Sequence, residues 1–326
     1  MNMGATQPRT PKPPLLSKLA HVGDAIKFEH TVFALPFAYI AMVLAARGWP
    51  GWWTMLWVTA AMVGARTCAM ATNRVVDRWI DAKNPRTAER HLPRGILGAA
   101  EMKGLAAAGA ALMFLSAGML NPLCLALAPL ALVFLVGYSY TKRFTWTSHW
   151  ILGFTDGIAA AGGWIAVRGS VEAPALVLWA ALTVWIAGFD LIYACQDVAF
   201  DRAHGLHSVP ARFGIPAALT IARVNHVLTA AALALLGVLT GLGPVFWLGW
   251  LVVAGLLAYE HSLVSARDLS RLDMAFFNVN GYVAVVVLVS VVGGLYTPKP
   301  PWLLRLRSKP RWCARCSRAS PAVTTS

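Results

Sequence analysis

Hydrophobic residues dominate this chain in long unbroken runs, and polar residues fall between those runs in short clusters. A helix needs about 20 apolar residues to cross a bilayer. Runs of that kind fall near 30–47, 52–80, 100–119, 121–140, 149–168, 174–197, 216–240, 244–264 and 275–296. Strands of a membrane barrel would alternate apolar and polar positions, and these runs do not. Turn signals separate several of them: Gly48-Trp49-Pro50-Gly51, Asn121-Pro122, and Gly241 with Gly243-Pro244. The pattern therefore predicts an all-α, polytopic membrane helix bundle of about nine transmembrane helices. Residues 26–296 form the expected transmembrane unit. A polar tail, 1–25, precedes it, with Pro8, Pro11, Pro13 and Pro14 and no apolar signal core. A basic tail, 297–326, follows and is expected to be disordered.

Composition agrees with a membrane protein. Hydrophobic residues make up 58% of the chain and charged residues 13%, against about 25% charged in soluble domains. The 28 Lys and Arg outnumber the 14 Asp and Glu, and a basic balance can signal nucleic acid. Here the bases lie between the apolar runs and in the tails, so membrane topology and anionic lipid are the better explanation, with no nucleic-acid partner expected. Lys83, Arg86, Arg90, Arg94, Lys142, Arg143, Arg202, Arg212, Arg267 and Arg271 all fall in alternate loops. The positive-inside rule places those loops and the N-terminal tail in the cytoplasm. With nine spans the 297–326 tail falls outside despite its seven bases, which conflicts with the same rule. Cys68, Cys124 and Cys195 sit in apolar runs and read as small buried hydrophobes. Cys313 and Cys316 form a single CxxC, too little for a metal site.

The acids carry the chemistry. The second run ends in Asn73, Asp77 and Asp81, and a period of four puts them on nearly one helical face. Near the end of the sixth run, Asp190, Tyr193, Asp197 and Asp201 share a stripe. Like charges at i,i+4 repel, so two such sets on one side of a membrane call for a cation. Their oxygens suit Mg²⁺, which is commonly held by one or two carboxylates and substrate phosphates. Two facing sets make a diphosphate clamp, with Asn73, Asp77, Asp81, Asp197 and Asp201 as the metal ligands. Lys142 and Arg143 end the fourth run at the same surface; they either grip phosphate oxygens or anchor the loop. The segment Asn84-Pro85-Arg86-Thr87-Ala88-Glu89-Arg90 either caps the site or simply connects.

These motifs resemble the paired signatures of the UbiA superfamily of intramembrane prenyltransferases. Asn73-x-x-x-Asp77-x-x-x-Asp81 followed by Asn-Pro-Arg-Thr is similar to the first. Asp190-x-x-Tyr193-Ala-x-Gln-Asp197-x-x-x-Asp201 is similar to the second, and Tyr138 to Arg143 to a short motif between them. The resemblance covers about 20–296 and is strongest to the 4-hydroxybenzoate polyprenyltransferases of quinone biosynthesis, ubiquinone or menaquinone. Ile26 to Thr31 and Gly205 to Pro210 also resemble a bacterial menaquinone branch with a naphthoate acceptor. The resemblance implies a nine-helix bundle in the bacterial cytoplasmic membrane. It also implies Mg²⁺-dependent ionisation of a polyprenyl diphosphate, with Tyr138 beside Lys142 and Arg143 at the diphosphate, and alkylation of an aromatic acid. Asp156, within the fifth run, is outside that pattern.

Depth along the helices separates further roles. Asp190 and Tyr193 lie one to two turns deeper than the metal set and are expected to face the acceptor as catalytic groups, unless Asp190 makes a structural hydrogen bond. Arg66 lies seven residues before Asn73, on the same face and about 10 Å deeper. An arginine at that depth is costly unless paired. Its partner is either Asp190 or Asp156, or the acceptor carboxylate, which a guanidinium fork binds bidentately. Two other readings exist: a family member with a haem, chlorophyllide or glycerol-lipid acceptor, and a transporter, whose charged sites would sit nearer the midplane.

Overall fold

The computed structural model describes residues 23–24 and 31–301. The rest of the N-terminal tail, the Ile26–His30 segment, most of the basic C-terminal tail and the Cys313/Cys316 pair lie outside the described residues.

The apolar runs fold as helices: α1 Thr31–Ala46, α2 Trp52–Asp81, α3 Ala99–Leu120, α4 Pro122–Thr141, α5 Ser148–Arg168 and α6 Ala173–Ala194. Two short helices follow, α7 Val198–Ala203 and α8 Val209–Phe213, then α9 Ile215–Thr240, α10 Pro244–Ser262 and α11 Asn280–Tyr296. Among the described residues there is no strand. The turn signals act as expected. Asn121 caps α4 by accepting a bond from Cys124 N at 2.9 Å, with Pro122 in the first turn. Gly169 and Gly241 end α5 and α9 in the left-handed region, with φ of 64° and 71°.

Among the described residues, seven helices are long and apolar enough to cross a membrane: α3, α4, α5, α6 with α7, α9, α10 and α11 with its preceding turn. The expected first and second spans fall outside this group. α1 offers only a short apolar stretch, Ala34–Ala46. α2 is 30 residues long, but Arg66, Arg74, Asp77, Arg78 and Asp81 interrupt its apolar character. The chain is an integral membrane helix bundle whose charged helix α2 packs within it.

Backbone contact at glycine holds α2 in place. A Cβ on Gly64 would lie 2.6 Å from Gly109 O, and one on Gly109 would lie 2.6 Å from Gly64 O. The α2 and α3 backbones therefore touch directly, as small residues permit in membranes. α5 is seated the same way, with Gly163 against Ala38 of α1 and Gly153 against Thr183 of α6. Trp185, Ile186 and Phe246 are almost fully buried in the shared core, where the Phe37 and Trp185 rings lie 5.0 Å apart.

The second acidic stripe is not one continuous α-helix. α6 stops at Ala194, and Cys195–Asp197 winds as a 3₁₀ turn before α7. The tighter winding of that turn places Asp197 and Asp201 on a separate short segment from Asp190 and Tyr193.

Candidate active site

One end of the bundle gathers the acidic residues, and each is held by a basic or polar partner. Asn73 Nδ2 donates to Asp77 Oδ2 at 2.8 Å, as one turn of α2 predicts. Asp77 Oδ1 accepts from Arg143 Nη2 at 2.9 Å. The same guanidinium reaches Val76 O and Ser139 O, so Arg143 staples the end of α4 to α2. Asp81 is buried, and both its oxygens accept from Arg90 Nη1 at 2.8 Å.

Asp197, also buried, has three donated bonds. Arg86 gives Nε to Oδ1 at 3.0 Å and Nη2 to Oδ2 at 2.6 Å, and Asn84 Nδ2 reaches Oδ1 at 3.2 Å. A guanidinium fork closing on both oxygens is the strong form of this bond. Arg86 Nη1 also donates to Tyr193 Oη at 3.1 Å, and its guanidinium lies over the Tyr193 ring at 5.3 Å. Burial by itself pulls the Arg86 pKa down, but the bond and charge of Asp197, then Tyr193 and Asp81, carry it above the ordinary value. Because Arg86 feels both Asp197 and Asp81, the two acidic motifs face each other across it.

Ser208 Oγ donates to Asp201 Oδ2 at 2.7 Å. His207 N donates to Lys142 O at 2.7 Å, which ties the 204–208 connection to the end of α4. Burial lowers the Lys142 pKa, yet Asp190, Asp201, Asp197 and Asp77 together raise it beyond the usual lysine value. The ammonium is thus held charged among both acidic sets.

Asp190 reaches deeper. His149, completely buried, meets Asp190 Oδ2 through Nδ1 at 2.6 Å. Val209 N donates to His149 Nε2 at 3.3 Å, so the ring proton sits on Nδ1 and is donated to Asp190. Asp190 also lines a cavity of about 470 Å³ enclosed chiefly by α2 to α6. Its walls are mostly apolar, and Arg66, Tyr138, Thr155 and Asp156 are among its polar members. Arg66 and Asp156 are within electrostatic reach of each other, as are Arg66 and Tyr138. The structure thus brings Asp190, Arg66 and Tyr138 to the cavity, and Asp77, Asp81, Asp197, Asp201, Lys142 and Arg143 to the charged end. Tyr193 stands between them, bonded to Arg86.

The donors at the charged end are hard carboxylate and amide oxygens, which fits Mg²⁺ chemistry. In this arrangement arginines engage Asp77, Asp81 and Asp197 while Ser208 engages Asp201, and among the described residues no three His, Cys, Asp or Glu side chains converge as a metal cluster. Sequence reading did not assign roles to Arg86, Arg90 and Asn84 beyond a possible cap, and it missed His149, Ser208 and the buried Arg74. Asn-Pro-Arg-Thr directly after an acidic helix end was the available signal for the loop. A lone histidine opening an apolar run was the signal for His149.

Comparison with known proteins places this geometry. The model of the UbiA prenyltransferase family matches residues 34–282. A 4-hydroxybenzoate octaprenyltransferase from Xanthomonas campestris pv. campestris (strain B100) is 32% identical over 255 residues, covering 78% of this chain and 84% of that protein. One from Aliivibrio fischeri (strain ATCC 700601 / ES114) is 28% identical over 251 residues, covering 77% and 87%. Among solved structures, the apo form of a UbiA homolog from Aeropyrum pernix K1 superposes with a TM-score of 0.74 at 34% identity, over 81% of this chain and 97% of that one. A UbiA homolog from Archaeoglobus fulgidus bound to DMAPP and Mg²⁺ shares the fold at 16% identity, with a TM-score of 0.67 over 84% and 99%. With most of its length matched by the family model, the chain belongs to the UbiA prenyltransferase family.

Proposed function

We propose that this chain transfers a polyprenyl group from a polyprenyl diphosphate to 4-hydroxybenzoate, releasing diphosphate, at a site facing the cytoplasm of a bacterial inner membrane. The observation that carries this reading is the meeting of two acidic motifs, with their arginines and Lys142, at the end of an apolar cavity that contains Arg66. The names of the similar proteins support the acceptor.

Asn73, Asp77, Asp81, Asp197 and Asp201 would hold Mg²⁺, which when bound neutralises charge on the diphosphate leaving group. Lys142 contributes a charged donor to the phosphate oxygens. Arg86 and Arg90, now on Asp197 and Asp81, turn to the diphosphate when it arrives, since phosphate and carboxylate present the same paired acceptors to a guanidinium. The prenyl chain lies along the apolar walls, which exclude water from the reacting carbon. Arg66 forks the acceptor carboxylate, and Tyr138, within electrostatic reach of both Arg66 and Asp77, serves the diphosphate from the cavity side. Asp190, oriented by the His149 proton, takes the position expected for holding the phenol proton.

The test is an assay of the purified enzyme in membranes with Mg²⁺, a polyprenyl diphosphate and either 4-hydroxybenzoate or a hydroxynaphthoate. Prenylated hydroxybenzoate that disappears on chelation is the expected result. Exclusive use of another acceptor, or product formation unaffected by chelation, overturns the proposal.

A further inference from the structure

Behind the cavity wall lies a buried polar cluster that the prenyl-transfer chemistry leaves unused. Glu260 of α10 and Asn280 at the start of α11 both have no exposed surface. Asn280 Nδ2 donates to Glu260 Oε1 at 2.9 Å. The same amide reaches Ala275 O at 3.1 Å and Phe276 O at 3.2 Å. Those carbonyls belong to Met274–Val279, which winds as a π-helix immediately before α11. A π-turn is rare because it sets carbonyls out of register with the α-helical ladder. Here one side-chain amide answers two of them, and Glu260 holds that amide.

The cluster is also fixed to α6. His226 Nδ1 of α9 lies 3.5 Å from Glu260 Oε2, and the His226 ring rests on Gly188, where any Cβ would collide with it. Gly188 is two residues from Asp190. The π-turn in turn aims one side chain at the site. Phe276 lines the cavity, stacks on Tyr193 at 4.2 Å and 29°, and meets Phe189 edge-on at 5.3 Å. Tyr193 is the residue bonded to the arginine that holds Asp197.

We infer that Glu260 and Asn280 are positioning residues: they fix the π-turn that holds Phe276 against Tyr193, so that the allylic cation meets aromatic faces and the acceptor rather than water. This rests on the prenyl-transfer reading. When the allylic C–O bond breaks, its electron pair leaves with diphosphate. The carbon then bonds either to the acceptor ring, which loses its ring proton, or to a water oxygen, which loses a proton and leaves a prenyl alcohol. Aromatic faces attract a cation, and a closed wall excludes the competing water.

The experiment measures how product partitions. Full-length enzyme in membranes receives Mg²⁺ and farnesyl diphosphate, with and without 4-hydroxybenzoate, and prenylated acceptor, farnesol and diphosphate are quantified. Asn280→Leu and Glu260→Leu should raise the farnesol share several-fold, and Phe276→Leu should do the same. Glu260→Gln should keep the wild-type share, because its amide oxygen still accepts from Asn280. A merely structural role would lower farnesol and prenylated product in proportion, and an unchanged share in Glu260→Leu overturns the inference. So does a Glu260→Gln variant that behaves like Glu260→Leu. If Asn280→Leu is not recovered from membranes, the Glu260 pair decides. Failure of the wild type to prenylate hydroxybenzoate would count against the acceptor alone. In that case the acceptor-free rate of farnesol formation still tests the cluster, and it should rise in Glu260→Leu.

Discussion

Asp197 and Asp77 answer to different arginines, yet removing either carboxylate should have the same consequence. Each is a hard oxygen donor at the charged end, and each balances a guanidinium there. On the proposed Mg²⁺ site, Asp77→Asn or Asp197→Asn should lower turnover by about 100-fold or more, since losing one of its ligands would remove several kcal/mol of charge stabilisation. Rates measured at limiting Mg²⁺ check this, and near-normal turnover in either variant would remove that residue from the metal set. Arg66 makes a separable prediction. It lines the apolar cavity and is not part of the charged end, so its loss should act on the acceptor. Arg66→Ala and Arg66→Lys should both raise acceptor KM by about tenfold or more, in line with a charge-assisted bond, and leave donor KM nearly unchanged. Lysine fails as well because a single ammonium cannot reproduce the planar fork. An equal defect toward an acceptor without a carboxylate would show that Arg66 serves the structure, through Asp156, and not the acceptor.

Helix packing decides whether those side chains meet at all. α2 carries Arg66, Asn73, Asp77 and Asp81 and lies directly on α3 at Gly64 and Gly109, with backbone against backbone. Gly109→Val should therefore part the two helices and destabilise the protein by about 1–3 kcal/mol, the usual cost of overpacking. Thermal unfolding in detergent reads this, with Gly104→Val as a control, because nothing lies within 4 Å of a Cβ there. An equal melting temperature in both variants would contradict the contact. Much of this level was legible in the sequence. Asn73 and Asp77 bond one turn apart because helical periodicity alone sets that distance. The long apolar runs became helices, and Asn121-Pro122 and Gly241 marked their ends. The ties across the site were not legible. Arg86 meets Asp197 over 111 positions and His149 meets Asp190 over 41, so both depend on tertiary placement that no local pattern encodes. The 3₁₀ turn at Cys195 and the π-turn at Met274 escaped for a similar reason. Both are departures from regular winding imposed by packing, and at the π-turn by Asn280, which Glu260 holds from 20 positions away. α2 reads as a span from its apolar first half, while the charges of its second half keep it out of the most apolar helices.

Charge across the whole bundle is strongly one-sided. Lys83, Arg86, Arg90 and Arg94 lie in the α2–α3 connection, Lys142 and Arg143 in the α4–α5 connection, Arg202 and Arg212 between α6 and α9, and Arg267 and Arg271 between α10 and α11. The opposite connections hold Arg47, with Arg168 at the end of α5. Contacts such as Arg86 with Asp197 and Arg143 with Asp77 join the charged connections into one end, which is also the acidic site. Each basic residue near an anionic leaflet contributes about 1 kcal/mol, so the ten bases of the richer end should settle the orientation against Arg47, Arg168 and Lys299, which lies beside Gly241 at the opposite end. The site is then expected on the cytoplasmic side, where a water-soluble diphosphate would be released. Single-cysteine labelling tests this on a background with Cys313 and Cys316 replaced by serine. Cys68 and Cys195 are buried and Cys124 is partly so, which keeps the native thiols quiet. Ser270→Cys, exposed in the α10–α11 connection, should react with a membrane-impermeant maleimide only after intact cells are permeabilised. Ser170→Cys, in the α5–α6 connection, should react without permeabilisation. The reverse pattern would put the diphosphate site outside the cell and overturn the orientation. Labelling of both positions in intact cells would mean that the basic connections do not fix one topology.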